Sequence, residues 1–349
     1  MNFGIIGCGR VSKKHIDAIS ANKDAVLVAV CDIDPYKAKT VGQELFVPYY
    51  TSYDKMLCQE NIDVINILTP SGDHAKHVID IVSKYQVHII CEKPMALTLL
   101  DADAMIEVCN KNNTRLFIVK QNRFNKPVQL LKKTIDSGIL GDIYIATVRV
   151  RWSRSQQYYD QATWRGKWAS DGGVISNQAS HHIDLLQWVL GKPIAVMGKM
   201  ATYCANIEVD DTAFAIIDFE NGATGIVEAT TATNTNLEGS LSIIAEKGTI
   251  VIGGFGVNKI ITWDVLGQNV GDVSQYSENP PNEYGYGHIH YINDVIQNII
   301  KGTPALVSGY EGRKTLELTT AIYESAVTQK RVFIGSKYPY CPLGKTNDI

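Results

Sequence analysis

The chain has 349 residues, 45% hydrophobic and 20% charged, an ordinary globular composition with enough length for about two domains. Lys plus Arg is 33 and Asp plus Glu is 36, a net charge of -3, so no global footprint points to nucleic acid or to an anionic membrane surface. Seven scattered cysteines without a CxxC pair fit free thiols of a reducing, cytoplasmic compartment rather than a disulfide framework or a cysteine zinc site.

In chain order, residues 2–6 are a short apolar run that meets Gly7-Cys8-Gly9. This start reads as a buried strand rather than a signal peptide, and no later apolar run is long enough to span a bilayer. A helical pattern covers 11–19, and the apolar run 25–31 ends at Asp32. Helical stretches at 35–45, 73–83 and 98–111 then alternate with strands at 63–68, 87–91 and 115–119. Apolar runs without internal alternation are strands buried on both faces. Interleaved with helices, they predict an α/β doubly wound parallel sheet of the Rossmann type over about 1–121.

The pattern changes beyond that point. A helix over 126–137 ends at Gly138, and the long run 142–154 alternates as a half-exposed antiparallel strand does. A helix over 176–190 stops at Gly191-Lys192-Pro193. Strands are expected at 194–204, 211–219, 223–232, 239–246 and 249–252, with helices at 284–301 and 308–329. Residues 122–349 therefore read as a second, α+β domain with a large, open, mostly antiparallel sheet. The polar tail from Gly335 is expected to wrap the surface or fray.

Gly7-Cys8-Gly9-Arg10-Val11-Ser12 sits between the first strand and the first helix. The first glycine permits the turn, and the second lets a pyrophosphate approach the backbone at a helix N-terminus. Ser12 replaces the usual third glycine but is still small. A bare glycine turn would explain GxG alone, but Asp32 follows at the end of the second strand. A carboxylate there accepts hydrogen bonds from ribose hydroxyls and repels a 2′-phosphate, which favours NAD over NADP.

The third strand ends in Thr69-Pro70-Ser71-Gly72-Asp73-His74, and the fourth in Glu92-Lys93-Pro94, where a cis peptide is expected. Farther on, Asn177, His181 and Asp184 share one helix face at i, i+4, i+7 spacing, so Asp184 is a candidate to orient His181 as a base. A buried structural histidine is the bland alternative. No metal is expected, because His-His-x-x-Asp puts His181 and His182 on different faces. His288-x-His290 reads as loop packing, and His74 with His77 as a helix-surface pair.

GIIGCGR, Glu92-Lys93-Pro94 and GG-x5-A-x-H-x-x-D from Gly172 to Asp184 together resemble the Gfo/Idh/MocA oxidoreductase family over nearly the whole chain. VKQNR (119–123), YYDQATWRGKW (158–168), DGGVISNQASHHIDLLQW (171–188), NIEVDDT (206–212) and NLEGSLSIIAEKGTIVIGG (236–254) resemble one subgroup. It comprises the WlbA-type UDP-N-acetyl-D-glucosaminuronate (UDP-GlcNAcA) 3-dehydrogenases of bacterial surface-polysaccharide (O-antigen) synthesis. Asn177 and Ala179 stand where the wider family has Asp and Gly. In the subgroup the amide is expected, since it sits beside a substrate carboxylate without like-charge repulsion.

The resemblance implies an NAD-dependent sugar-nucleotide dehydrogenase. NAD would be held by Gly7, Gly9, Arg10, Val11, Asp32, Thr69, Pro70, Ser71, His74, Glu92, Lys93 and Gln121. Trp164 and Arg165 would close over the nicotinamide or its ribose. The UDP-sugar would meet Lys93, Arg123, Tyr158, Tyr159, Asn177, Gln178 and His181. His181 is the implied base for the C3 hydroxyl, with Lys93 positioning or polarising its oxygen. Lys93 as the base stays open. The resemblance further implies a homotetramer and, in some members, reoxidation of bound NADH by 2-oxoglutarate. Two other readings remain. One is an NAD-dependent dehydrogenase of a free sugar or inositol. The other is a non-catalytic NAD-binding regulator, against which the retained Lys93 and His181 argue.

Overall fold

The computed structural model describes residues 1–267, 271–278, 285–335 and 340–345. They form two compact units: Met1–Val119 with His288–Lys314, and Lys120–Gly287 with Thr315–Ile349.

The first unit runs β1 (Asn2–Ile6), α1 (Ser12–Ser20), β2 (Val26–Cys31), α2 (Pro35–Leu45), β3 (Tyr49–Tyr50), α3 (Tyr53–Gln59), β4 (Val64–Ile67), α4 (His74–Lys84), β5 (His88–Cys91), α5 (Leu99–Lys111) and β6 (Leu116–Ile118). The six strands are parallel, in the order β3-β2-β1-β4-β5-β6. This is the doubly wound sheet that the uninterrupted apolar runs predict, because β4 and β6 are buried along their whole length. β3 escapes sequence reading, since a two-residue strand leaves no periodicity.

The second unit adds α6 (Lys126–Asp136), β7 (Ile143–Arg151), α7 (Gln156–Asp160), α8 (Ser180–Leu190), β8 (Pro193–Ala201), β9 (Thr212–Phe219), β10 (Thr224–Thr230), β11 (Glu238–Ala245), β12 (Gly248–Gly253) and β13 (Lys259–Val265). The chain closes with α9 (Gly287–Lys301), α10 (Gly309–Thr328) and β14 (Val332–Phe333). The second sheet has the order β13-β12-β11-β7-β10-β9-β8-β14. Only β7 and β10 pair in parallel, so the sheet is mostly antiparallel, as expected. The helix expected over 176–190 begins only at Ser180, because 176–179 are turns. α8 buries Ile183, Leu185, Leu186 and Val189, and packs on β7, β10 and β11.

The segment His288–Lys314 packs with the first unit, although its place in the chain suggests the second. Tyr291, Ile292 and Val295 of α9 are fully buried. Arg115 donates to the carbonyls of Asn298 and Thr303, and Ile118 N donates to Val307 O. Such a return is invisible to local periodicity. In the tail, Cys341 and Leu343 are buried rather than frayed, while 336–339 and 346–349 lie outside the described residues. All seven cysteines are free. Among the described residues, no helix is long and apolar enough to cross a membrane.

Candidate active site

In the first unit, the glycine turn is dictated by space. Gly7 has φ +101°, and a Cβ there would come within 2.7 Å of Leu68 O, so no other residue fits. A Cβ on Gly9 would meet nothing within 4 Å, so its backbone stays open to a ligand. Ser12 is buried and donates its hydroxyl to Gly9 O at 2.7 Å, which is how it serves in place of a third glycine. No side chain caps α1, and Arg10 is exposed beside its first turn. Asp32 Oδ2 accepts from Cys8 N at 2.8 Å, and Oδ1 from Asp34 N at 2.9 Å. A carboxylate fixed in this way keeps lone pairs for ribose hydroxyls. These features fit NAD.

The turns after β4 and β5 are tied together by His74. Its Nδ1 lies 2.8 Å from Pro94 O and its Nε2 2.9 Å from Thr69 O. It is therefore no surface partner of His77 but a buried brace, and burial lowers its pKa. Both of its ring nitrogens face backbone carbonyl oxygens, and the neutral ring donates to one of them. The peptide between Lys93 and Pro94 is cis, as expected.

Glu92 is likewise turned inward. Its Oε1 lies 3.0 Å from His15 Nε2, and its Oε2 accepts from Lys93 N at 3.0 Å. Asn66 Nδ2 lies 2.9 Å from His15 Nδ1. Donation there leaves the imidazole proton on Nε2, facing Glu92. Burial pushes Glu92 up, but the hydrogen bond and charge of His15, followed by His288 and then Lys93, outweigh it and bring the carboxyl down to about 2. Glu92 thus braces the half-buried Lys93 from behind. His288 completes this cluster from α9, not from a loop, with its ring 5.5 Å from that of His15. Sequence reading passed over His15, whose only signal is its place on the same face of α1 as the buried Ala18 and Ile19.

In the second unit, Asp184 does not orient His181. It takes a bidentate pair from Arg123, with both contacts at 2.8 Å, a Lys120 ammonium at 3.4 Å and the Thr315 hydroxyl at 2.7 Å. Burial opposes its charge, but Arg123 and Lys120 prevail and hold the carboxyl well below its usual range. Arg123, expected as a sugar ligand, is thereby buried and charge-matched from within. The neighbour of His181 is Gln121, whose Nε2 lies 3.2 Å from His181 Nε2. An amide donor there meets a lone pair, which is what a base requires.

The turns before α8 explain the paired glycines. A Cβ on Gly173 would fall 1.8 Å from Asp210 Oδ1. Asp210 is buried, accepts from Ile175 N at 3.3 Å and is hydrogen-bonded to Tyr323. The Tyr323 hydroxyl in turn accepts from Gly173 N and Ser176 N at 3.1 and 3.3 Å. Asn177 donates to Asp171 Oδ1 at 2.7 Å, while Asp171 Oδ2 accepts from Gly166 N at 3.0 Å. Asp171, Asp210 and Tyr323 were not singled out from sequence, because their partners are distant in the chain.

The remaining candidates divide. Tyr158 is half-buried, and its hydroxyl accepts from Arg165 at 2.6 Å. Arg165 lies over Trp164, 4.6 Å from the ring centroid. Tyr159 faces inward to Thr231, with its hydroxyl pushed up to about 12 by burial, and so reads as structural. Gln178 is buried.

A doubly wound parallel sheet, an uncovered glycine turn and an anchored acid after β2 define an NAD-binding oxidoreductase. The chain belongs to the Gfo/Idh/MocA family. Residues 1–120 match its oxidoreductase NAD-binding Rossmann-fold domain, and 128–251 its C-terminal domain. Among solved structures, it resembles the WlbA dehydrogenase from Bordetella pertussis in complex with NADH and UDP-GlcNAcA. The two are 38% identical with a TM-score of 0.91, over 97% of this chain and 98% of that one. The WlbA dehydrogenase from Chromobacterium violaceum, also solved with NADH and UDP-GlcNAcA, is 37% identical with a TM-score of 0.90, over 97% of each chain. The myo-inositol 2-dehydrogenase of Thermotoga maritima is 25% identical over 340 residues, which is 95% of this chain and 98% of that protein.

Proposed function

We propose that this protein oxidises the C3 hydroxyl of a UDP-N-acetyl-glucosaminuronic acid type sugar nucleotide to the 3-keto sugar. The observation that carries the reading is the near-full-length similarity, at 37 and 38% identity, to two dehydrogenases solved with NADH and UDP-GlcNAcA. Bound NAD supplies the hydride acceptor. His181 takes the hydroxyl proton on its amide-facing nitrogen after Gln121 gives way. Lys93, braced through Glu92, holds and polarises the C3 oxygen. An ammonium beside a developing alkoxide stabilises the charge that appears there. Exchange of these roles, with Lys93 as the base, belongs to the same proposal.

The wider reading includes a cytoplasmic enzyme of bacterial surface-polysaccharide (O-antigen) synthesis, 2-oxoglutarate as a reoxidant, and a homotetramer. The open face of the second sheet supports association. Ile145 pairs with Ile244 and Met197 with Ile216, and each of the four is at least 37% exposed. Exposed apolar patches of this kind mark interaction sites.

Purified protein is incubated with NAD and UDP-GlcNAcA, with and without 2-oxoglutarate, and NADH absorbance is followed. NADH formation from the UDP-sugar is expected. Turnover of myo-inositol without turnover of the UDP-sugar would establish a free-polyol dehydrogenase instead, the reading favoured by the inositol relative. Bound NAD without turnover of any sugar would point to a regulator.

A further inference from the structure

The second unit carries six arginines: Arg123, Arg149, Arg151, Arg154, Arg165 and Arg331. Four of them meet carboxylates. Arg123 pairs with Asp184, Arg149 and Arg151 with Glu228 and Glu238, and Arg331 with Asp218. Among the described residues, Arg154 and Arg165 meet none. Both half-buried guanidiniums instead lie against one ring, that of Tyr158, at 5.2 and 4.4 Å from its centroid. Trp164 backs Arg165 at 4.6 Å, and Trp152 backs Arg154 at 5.4 Å. Trp152 is itself stacked on Phe255 at 4.5 Å. A ring face holds a cation in place without neutralising it. Their hydrogen bonds go to neutral acceptors, from Arg154 to Ser153 O at 2.7 Å and Asn236 Oδ1 at 3.4 Å and from Arg165 to the Tyr158 hydroxyl at 2.6 Å, so two positive charges meet one ring without a carboxylate to balance them.

Two further features point to an anion. Arg165 Nε and Trp152 Nε1 are buried donors with no acceptor among the described residues, and buried donors are normally satisfied. The nearby carboxylates are turned elsewhere: Asp160 accepts from Gln156, and Asp171 from Gly166 and Asn177. The strip is also tied to the segment bearing the proposed base. The Trp152 ring lies 5.8 Å from that of His182, the residue after His181, and Asp171 links Gly166 to Asn177.

We propose that Arg154 forms a subsite for the diphosphate of the nucleotide-sugar substrate, and that Arg165, expected from the resemblance over the nicotinamide or its ribose, belongs to this subsite instead. Arg154 is then a specificity residue, separating diphosphate-linked sugars from free ones. This rests on the sugar-nucleotide reading above, and planar guanidiniums suit phosphate oxygens.

The test uses the full chain loaded with NADH. Binding of UDP, which carries the diphosphate but no sugar carboxylate, is measured by calorimetry for wild type, Arg154→Gln and Arg154→Lys. Arg154→Gln is expected to weaken UDP by about tenfold to a hundredfold, the worth of a charged hydrogen bond. The KM for UDP-GlcNAcA should rise in parallel, with kcat within about threefold. Arg154→Lys should recover only part of the loss. Unchanged UDP affinity in both variants overturns the subsite, as does wild type that fails to bind UDP. A loss confined to glucuronate, with UDP unaffected, reassigns the arginine to the carboxylate and also overturns it. Wild type that binds UDP through Arg154 but does not oxidise UDP-GlcNAcA separates failure of the reaction reading from failure of the subsite.

Discussion

The two units build their sites by different means. In the first, most of the nucleotide turn is backbone conformation: Gly7 at positive φ, Gly9 uncovered, and a short link from β2 to Asp32. In the second, the candidate residues are held by side chains far apart in sequence. Arg123 and Asp184 are 61 residues apart, Thr315 and Asp184 are 131, and Tyr323 is 150 from Gly173. A site made of backbone is written locally and tolerates side-chain change. A site made of distant side-chain pairs specifies geometry sharply but fails when one partner is lost.

The largest effect sharpens that contrast. Lys93→Met and His181→Ala should each lower turnover by roughly 100- to 10,000-fold, the usual worth of an acid–base group. NADH affinity, followed by fluorescence titration, should change little, because the nucleotide turn rests on other atoms. Wild-type turnover in both variants removes them from the reaction. A large loss of NADH affinity in His181→Ala would show that the nucleotide site is not local to the first unit.

Asp184→Ala strikes the side-chain-built unit where it is least tolerant. It removes the buried carboxylate that Arg123 and Lys120 share. Breaking a buried pair in this way costs about 3–5 kcal/mol, read as a drop in Tm or in the urea midpoint. Retained stability would mean that solvent reaches the two cations.

The same contrast explains what could be read from sequence. The doubly wound sheet, the mostly antiparallel second sheet, the glycine turn and the cis Lys93-Pro94 were all legible, because each rests on neighbours within a few residues. The return of α9 to the first unit was not. Nor was the capture of Asp184 by Arg123: i, i+4, i+7 spacing proposed a helix face, but the helix starts at Ser180, and a buried arginine outbids a histidine for a carboxylate. Asp210 gave no local signal, since its partners Gly173, Ile175 and Tyr323 lie on other segments.

Asp210 supplies a pH test of the second unit. Burial raises its carboxyl from the ordinary 3.8 to about 7, against the opposing hydrogen bonds. A carboxyl raised on folding contributes stability below its unfolded pKa and loses it as pH rises through the folded value. Wild-type Tm should therefore fall relative to Asp210→Asn as pH goes from about 4 to 7, steepest near the middle of that range, and level off above it. Parallel curves across that range would mean that Asp210 is ionised throughout.

The smallest expected effect probes the first unit. Asp34 caps α2, accepting from the N–H groups of Tyr36 and Lys37, with Pro35 at the first helical position. Its side chain does not support Asp32; its backbone N–H does, by donating to Asp32 Oδ1. Asp34→Ala removes the cap and keeps that N–H. Stability should fall by about 1 kcal/mol, the usual worth of an N-cap, while NAD affinity stays within about twofold. A tenfold loss of NAD affinity would mean that the ribose-binding turn depends on a side chain after all, and the distinction between a backbone-built and a side-chain-built site would fail at its simplest point.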